Sequence, residues 1–333
     1  MPAPSGKTVA MLHAALIAGR LIGGLLVLLA MVIGVSAAAA AMTEPERRGR
    51  MLDVGEGRRM RVVCDGPAVS TPTVWFEAGA FGFAAEWGSV QSRLTALGIR
   101  SCGYDRAGLG FSDPGPLPRD ADAIAGDLEK LIVASGEKGP FLFVGHSAAG
   151  LYLRRYAGLH PQRVSGLVLV DAMTPEGAIA SPFAGRFPKL ARWAARGAAL
   201  GLFWPLTFTS RADRVGLIGP AHEEKRRKFA SRRHNRAAAD EAAAWPESFR
   251  EGVATAPYNP DWPIAVVLAG PETARPDLNN MRAQPALSSR HGRVERVADA
   301  DHRTLLGEGH ADRIVDAVRF VAGQSAAAAK PAV

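Results

Sequence analysis

FLFVGHSAAGLYLRRYA, residues 141–157, sets a run of buried-strand residues directly against a helix, with almost no loop between them. Phe141 to Val144 form a short apolar run, bounded by Gly139 and Pro140 before and Gly145 after, which is the pattern of a strand covered on both faces. Leu151, Tyr152 and Tyr156 recur at helical spacing. The turn between holds small residues, His146 and one hydroxyl, that of Ser147. A strand-turn-helix of this kind pushes the serine Oγ out at the carboxyl end of a sheet and aims the following amide, that of Ala148, at the same space. Residues 145 and 149 must then be small, because a larger side chain meets the neighbouring strand or helix. Here they are Gly145 and Ala149, with Gly150 one residue later.

A free serine hydroxyl is a weak nucleophile; it needs a base within reach and donors for the oxygen that gains charge. The turn after an earlier strand, FEAGAFG (76–82), offers the second donor: Gly79 lets the backbone approach, and Ala80 supplies the amide. A chain order of serine, acid, histidine calls for a late histidine. His302, in ADADHRTLL, directly follows the last strand pattern, whereas His310 opens the final helix and reads as a surface or capping residue. Three carboxylates compete for the acid. Glu272 lies two residues beyond the strand PIAVVLAG and ranks first; Asp277 lies five further on, and Asp171 ends the preceding strand.

Around this centre, strand patterns at 73–79, 99–104, 164–170, 263–270 and 293–298 alternate with helical ones at 87–97, 120–135 and 310–322. Such alternation predicts an α/β fold, a mostly parallel central sheet flanked by helices. It breaks at about 173–262, a helical insertion far longer than an ordinary connection and therefore a candidate lid. Its apolar Leu190, Trp193, Leu200, Leu202, Phe203 and Trp204 read as lid core or as an acyl pocket, with core preferred. Its basic run, Lys225 to Arg236, reads as a solvated face or a surface resting on anionic headgroups.

The segment 21–42 is uncharged and follows Lys7 and Arg20, so residues 1–42 read as a transmembrane anchor or a cleaved signal, the anchor preferred. Either way the domain is exported, membrane-anchored or secreted to the periplasm or beyond. Residues 43–50 form a linker, 51–322 the domain and 323–333 a disordered tail. The formal charge of +8 over 333 residues comes without a zinc-finger spacing or an aromatic RNA-binding run, and no nucleic-acid partner is expected. No nucleotide loop or metal-ligand cluster stands in the sequence, so no cofactor or metal is expected.

Residues 51–322, apart from most of the insertion, resemble the α/β-hydrolase fold. The resemblance rests on EAGAFG, YDRAGLGFSDP, VGHSAAG, GLVLVDA and ADADHRTLL. It implies Ser147 as nucleophile, His302 as general base, and the amides of Ala80 and Ala148 as oxyanion donors. It sets Glu272 at a position where the family usually has Asp, and Ala78 where it commonly has His. Asp105 and Arg106 fall in a structural signature expected to fix its own turn. The fold makes the strands bearing Cys64 and Cys102 neighbours, so the two cysteines are expected to meet as a disulfide in an exported protein. The implied activity is a serine hydrolase cleaving an apolar carboxylic ester through an acyl-enzyme. The alternatives are peptidase, amidase or acyltransferase chemistry on the same residues, or a non-catalytic binding protein at the membrane.

Overall fold

The computed structural model describes residues 6–42, 46–68, 72–209, 213–273 and 276–328. Its strands are β1 (Arg50–Asp53), β2 (Arg59–Asp65), β3 (Val74–Glu77), β4 (Ser101–Tyr104), β5 (Phe141–His146), β6 (Val164–Val170), β7 (Ile264–Ala269) and β8 (Gly292–Val297). They form one sheet in the order β1-β2-β4-β3-β5-β6-β7-β8, antiparallel over β1-β2-β4 and parallel from β4 to β8. Helix α1 (Gly6–Met42) precedes the sheet, and α2 (Gly88–Ala96), α3 (Ala121–Ser135) and α4 (Ala149–Leu159) follow β3, β4 and β5. Between β6 and β7 come α5 (Pro175–Ala180), α6 (Pro182–Ala199), α7 (Gly219–Phe229), α8 (Arg232–Ala243) and α9 (Trp245–Ala254). The chain closes with α10 (Pro276–Leu287) and α11 (Ala311–Ala328).

The period-two alternation of the central strands divides the core into two layers. Leu142, Val144, Val168 and Val170 face α2 and α11, where they meet Val90, Leu94, Ile314 and Val318. Phe141, Phe143, Leu167 and Leu169 face α3 and α4, where they meet Leu128, Leu131, Leu153 and Tyr156. Both faces are therefore apolar, which explains why these strands read as continuous hydrophobic runs. Helix α3 begins where Asp120 accepts a bond from the Ala123 amide at 2.9 Å and ends at Gly136 in the left-handed conformation. Cys64 and Cys102 pair directly across β2 and β4 and are joined as a disulfide.

Several expectations need correction. Residues 323–328, expected to belong to a disordered tail, continue α11, while 329–333 lie outside the described residues, as do 1–5 of the leader and 43–45 of the linker. In the insertion, Leu190, Trp193, Leu200 and Leu202 are solvent-exposed, so they form neither lid core nor pocket lining. Trp204 is buried, and Phe203 stacks on Phe229 at 5.5 Å. The inner face of α6 is built instead from Ala184, Ala191 and Ala198 at seven-residue spacing, which lets α8 approach closely through Ala239 and Ala242. Much of the basic run is turned inward. Lys225 pairs with Glu86, Arg226 and Arg227 with Glu223, Lys228 lies 3.8 Å from the Phe111 ring centre, and Arg233 donates to Gly110.

Candidate functional site

Ser147 directly follows the central strand β5 at φ +57°, a left-handed conformation that costs on the order of 1–3 kcal/mol for a residue with a side chain. The turn is held from β6. The Ser147 amide donates to the Val170 carbonyl at 3.2 Å, and the Ser147 carbonyl accepts from the amides of Met173 at 2.7 Å and Gly150 at 3.1 Å. Because Met173 comes so near, a Cβ at residue 150 would stand 2.1 Å from its carbonyl oxygen. The glycine the turn cannot lose is thus Gly150, while the Ala149 methyl is buried without clash. That explains the displaced glycine in the sequence.

The turn after β3 lies against the serine. A Cβ at Gly79 would come 2.9 Å from the Ser147 Cβ and 3.1 Å from His146 Nδ1. Ala80 and Ala148 pack into the same apolar cluster, and neither amide donates to a backbone carbonyl among the described residues. Phe81, at φ +60°, completes the turn, and its carbonyl accepts from His234 Nε2 at 3.1 Å and from Lys225 Nζ at 3.3 Å.

His302 follows β8 in a loop tied by Asp301, whose carboxylate accepts from the Arg303 and Thr304 amides at 2.7 and 2.9 Å. Its Nε2 stands 2.9 Å from Ser147 Oγ, and its Nδ1 stands 2.5 Å from Asp171 Oδ2. With Nδ1–H donating to the carboxylate, Nε2 offers its lone pair to the serine O–H. Here the leading expectation for the acid is corrected. Glu272 lies exposed in the turn after β7, Asp277 lies exposed in the first turn of α10, and the carboxylate at the histidine is Asp171. Asp171 sits at the end of β6, the strand beside β5, at φ +42°. Its amide bonds to Val267 at 2.7 Å, and its second oxygen accepts from Arg282 of α10 at 2.7 Å. Burial raises the Asp171 carboxyl, but the His302 hydrogen bond and the Arg282 charge outweigh it and hold the group below the usual carboxylate range.

His146, the residue before the serine, supports His302. Its Nε2 meets the His302 carbonyl at 2.7 Å, so that nitrogen carries the hydrogen, and the two rings lie 4.6 Å apart. Burial first, then the adjacent His302, lower its pKa to about 3; burial and then Lys225 do the same to His234. Both rings are neutral in the folded protein. An unfolded histidine binds a proton near 6.5, so the unfolded state gains protons that the fold refuses as pH drops. Stability contributed by the neutral rings is complete above about pH 6.5 and falls toward pH 3, by roughly 2 kcal/mol per histidine at pH 5. Thermal unfolding of the detergent-solubilised chain should thus show a steep loss of Tm from pH 6.5 to 5, and His146→Gln should lessen that slope by about one proton. An unchanged slope would contradict the buried neutral ring.

A sharp turn bearing a serine, a histidine bonded to it from beyond the last strand, and a carboxylate on the neighbouring strand are parts of one arrangement, and similarity to known proteins points the same way. The chain resembles the Cif epoxide hydrolase from Acinetobacter nosocomialis, with a TM-score of 0.66 at 14% identity over 86% of this chain and 96% of the other. It resembles a thermophilic esterase from Thermogutta terrifontis, with a TM-score of 0.59 at 18% identity over 83% and 99%. At such identities these likenesses concern the fold alone. A 128-residue stretch is 31% identical to an AB hydrolase superfamily protein of Gibberella zeae, covering 36% of this chain and 39% of that one. The matched stretch spans 19% to 39% of the length of its first curated relatives. Residues 72–308, from the first parallel strand to just past His302, match the alpha/beta hydrolase fold family, and the chain belongs to it.

Proposed function

We propose that the protein is a serine hydrolase that cleaves carboxylic esters through an acyl-enzyme. The observation that carries this reading is the hydrogen-bonded chain from Ser147 Oγ through His302 to Asp171. His302 Nε2 takes the Oγ proton as Oγ attacks the substrate carbonyl carbon, and Asp171 keeps the ring in the tautomer that can accept it. The carbonyl oxygen gains charge beside the Ala80 and Ala148 amides, where preformed donors need no reorganisation. As the carbon–oxygen bond to the alcohol breaks, His302 returns the proton to the leaving oxygen. Water then attacks the acyl-serine, giving its proton to His302, and release of the acid restores the serine hydroxyl.

A serine nucleophile also bears on the alternative suggested by epoxide hydrolases of similar fold. Attack of Oγ on an epoxide would leave an ether, which has no carbonyl for water to attack and so no ready route to turnover. An acyl-serine has one. Amides and acyl acceptors other than water would enter through the same intermediate, so the reading fixes the first half-reaction more narrowly than the second.

Cellular placement is part of the proposal. Helix α1 contains a 25-residue apolar stretch, Met11–Val35, that lies exposed and is long enough to cross a bilayer. With Lys7 before it and Arg20 in its N-terminal half, it would serve as an anchor holding the domain outside the cytoplasm. The Cys64–Cys102 disulfide fits an oxidising compartment.

The test is covalent labelling. A fluorophosphonate probe should attach to one site, located at Ser147 by peptide mass, and Ser147→Ala should lose both the label and the hydrolysis of p-nitrophenyl esters. A folded parent protein that takes no label, or a label that survives Ser147→Ala, would end the hydrolase reading. A chain-length series of the same esters then sizes the acyl site.

A further inference from the structure

Helix α6 presents a face that the fold leaves uncovered. Its inner side is the alanine seam on α8, together with Phe187, which meets Phe81 of the turn after β3 at 6.0 Å. Its outer side carries Phe183, Leu190 and Trp193, at 57%, 55% and 67% exposure. Arg186, Lys189, Arg192 and Arg196 share that outer side, all exposed, and Arg196 lies 5.1 Å from the Trp193 ring centre. The helix contains no acidic residue, and none of these four cations has an ion pair among the described residues. The basic run Lys225 to Arg236, by contrast, is largely committed to partners within the fold.

Two further contacts place this region beside the membrane segment. Gly201, just past α6, abuts Ile33 of α1: a Cβ there would stand 3.3 Å from Ile33 Cγ2. Arg48 bonds Glu224 of α7 through its amide and its guanidinium, all at 3.2 Å. Arg48 is the sixth residue past the end of α1, a reach of at most about 20 Å. The insertion therefore faces the end of α1 from which the domain emerges.

We propose that the outer face of α6 rests in the headgroup layer of an anionic bilayer. Aromatic and aliphatic side chains flanked by arginine and lysine on one exposed helix face are the pattern of an interfacial helix lying in the membrane plane. Anionic lipid is the occupant favoured by charge, because the face is basic throughout. A second copy of this chain, docked through the same face, would set cation against cation. The proposal rests on α1 being an anchor and does not require the hydrolase reading.

Tryptophan fluorescence reads this directly. Trp193 is exposed, whereas Trp75, Trp87, Trp204 and Trp245 are buried, Trp262 is half-buried, and α1 contains no tryptophan. Full-length protein should be reconstituted in vesicles of phosphatidylcholine with phosphatidylglycerol, the acyl chains brominated near the headgroup. The quenchable component of the emission should be lost in Trp193→Phe, and reduced in a Lys189→Glu/Arg192→Glu variant and in phosphatidylcholine alone. Equal quenching of the parent and Trp193→Phe would overturn the proposal. So would cross-linking of two copies through Trp193→Cys with Trp193 shielded from bromolipid. Fluorophosphonate labelling on the same samples reports separately on the serine.

Discussion

Asp171→Asn should lower kcat for ester hydrolysis by roughly 10⁴-fold, while Glu272→Gln should leave it within about twofold. The expected loss comes from the proton rather than from packing. Asp171 accepts Nδ1–H of His302 at 2.5 Å, which leaves Nε2 bare toward Ser147. An asparagine amide in its place can turn its NH2 to Nδ1, and the ring then carries hydrogen on Nε2, where it can no longer accept the serine proton. Arg282 compounds the effect. Its pairing with Asp171 Oδ1 at 2.7 Å is balanced by a full carboxylate charge, and asparagine removes that charge from beside a ring that must become cationic. Both consequences fall on kcat, and KM for a small ester should change little. The measurement is a kcat and KM pair for each variant, with unfolding curves to show that both remain folded. If Glu272→Gln were the crippling change and Asp171→Asn the mild one, the assignment of the acid would be reversed.

The same residue marks where the sequence stopped being legible. The alternation of strands with helices along the chain and the β5 turn could be read because they rest on local signals, apolar runs punctuated by glycine. Ser147 and His302 followed from that order. The acid did not, since chain order permits a carboxylate after either β6 or β7, and spacing alone does not separate them. What separates them is a contact: α10 brings Arg282 to the end of β6, and Glu272, in the turn after β7, is exposed. The support from His146 was invisible for a similar reason, because its partner is a backbone carbonyl 156 residues away. In the insertion, hydropathy misled. Leu190 and Trp193 are large apolar side chains yet face outward, and the buried seam is made of alanines that a hydropathy reading undervalues.

The second large effect should come from Arg106, which the sequence placed in a motif that fixes its own turn. Asp105 does so: its carboxylate accepts from the amides of Ala84 and Phe111 at 3.0 and 2.8 Å and pairs with Arg61. Arg106 reaches elsewhere. It donates to Glu77 at the end of β3, to the carbonyls of Ala78 and Gly79, and through Nε and a terminal nitrogen to both oxygens of Glu241 on α8. These bonds use all five guanidinium hydrogens, and every group involved is buried. Burial raises the Glu77 carboxyl against the pull of Arg106, so the arginine is what keeps charge tolerable there. Arg106→Met would take the cation from two buried carboxylates and a donor from two carbonyls, and breaking a buried pair in this way costs about 3–5 kcal/mol. For a domain of this size that is a fall in Tm on the order of 10 °C. Adding Glu241→Leu should recover part of the loss, because one stranded charge leaves with it. That recovery separates an ion-pair network from a simple packing defect, in which the double variant would be worse than the single. If Arg106→Met cost no more than an exposed substitution, the network would carry no weight. The bonds also bear on movement of the insertion. Glu241 belongs to α8, while Ala78 and Gly79 form the turn that carries the Ala80 amide. Swinging α8 outward would unpair Arg106 and loosen that turn together, so α8 is braced against the site.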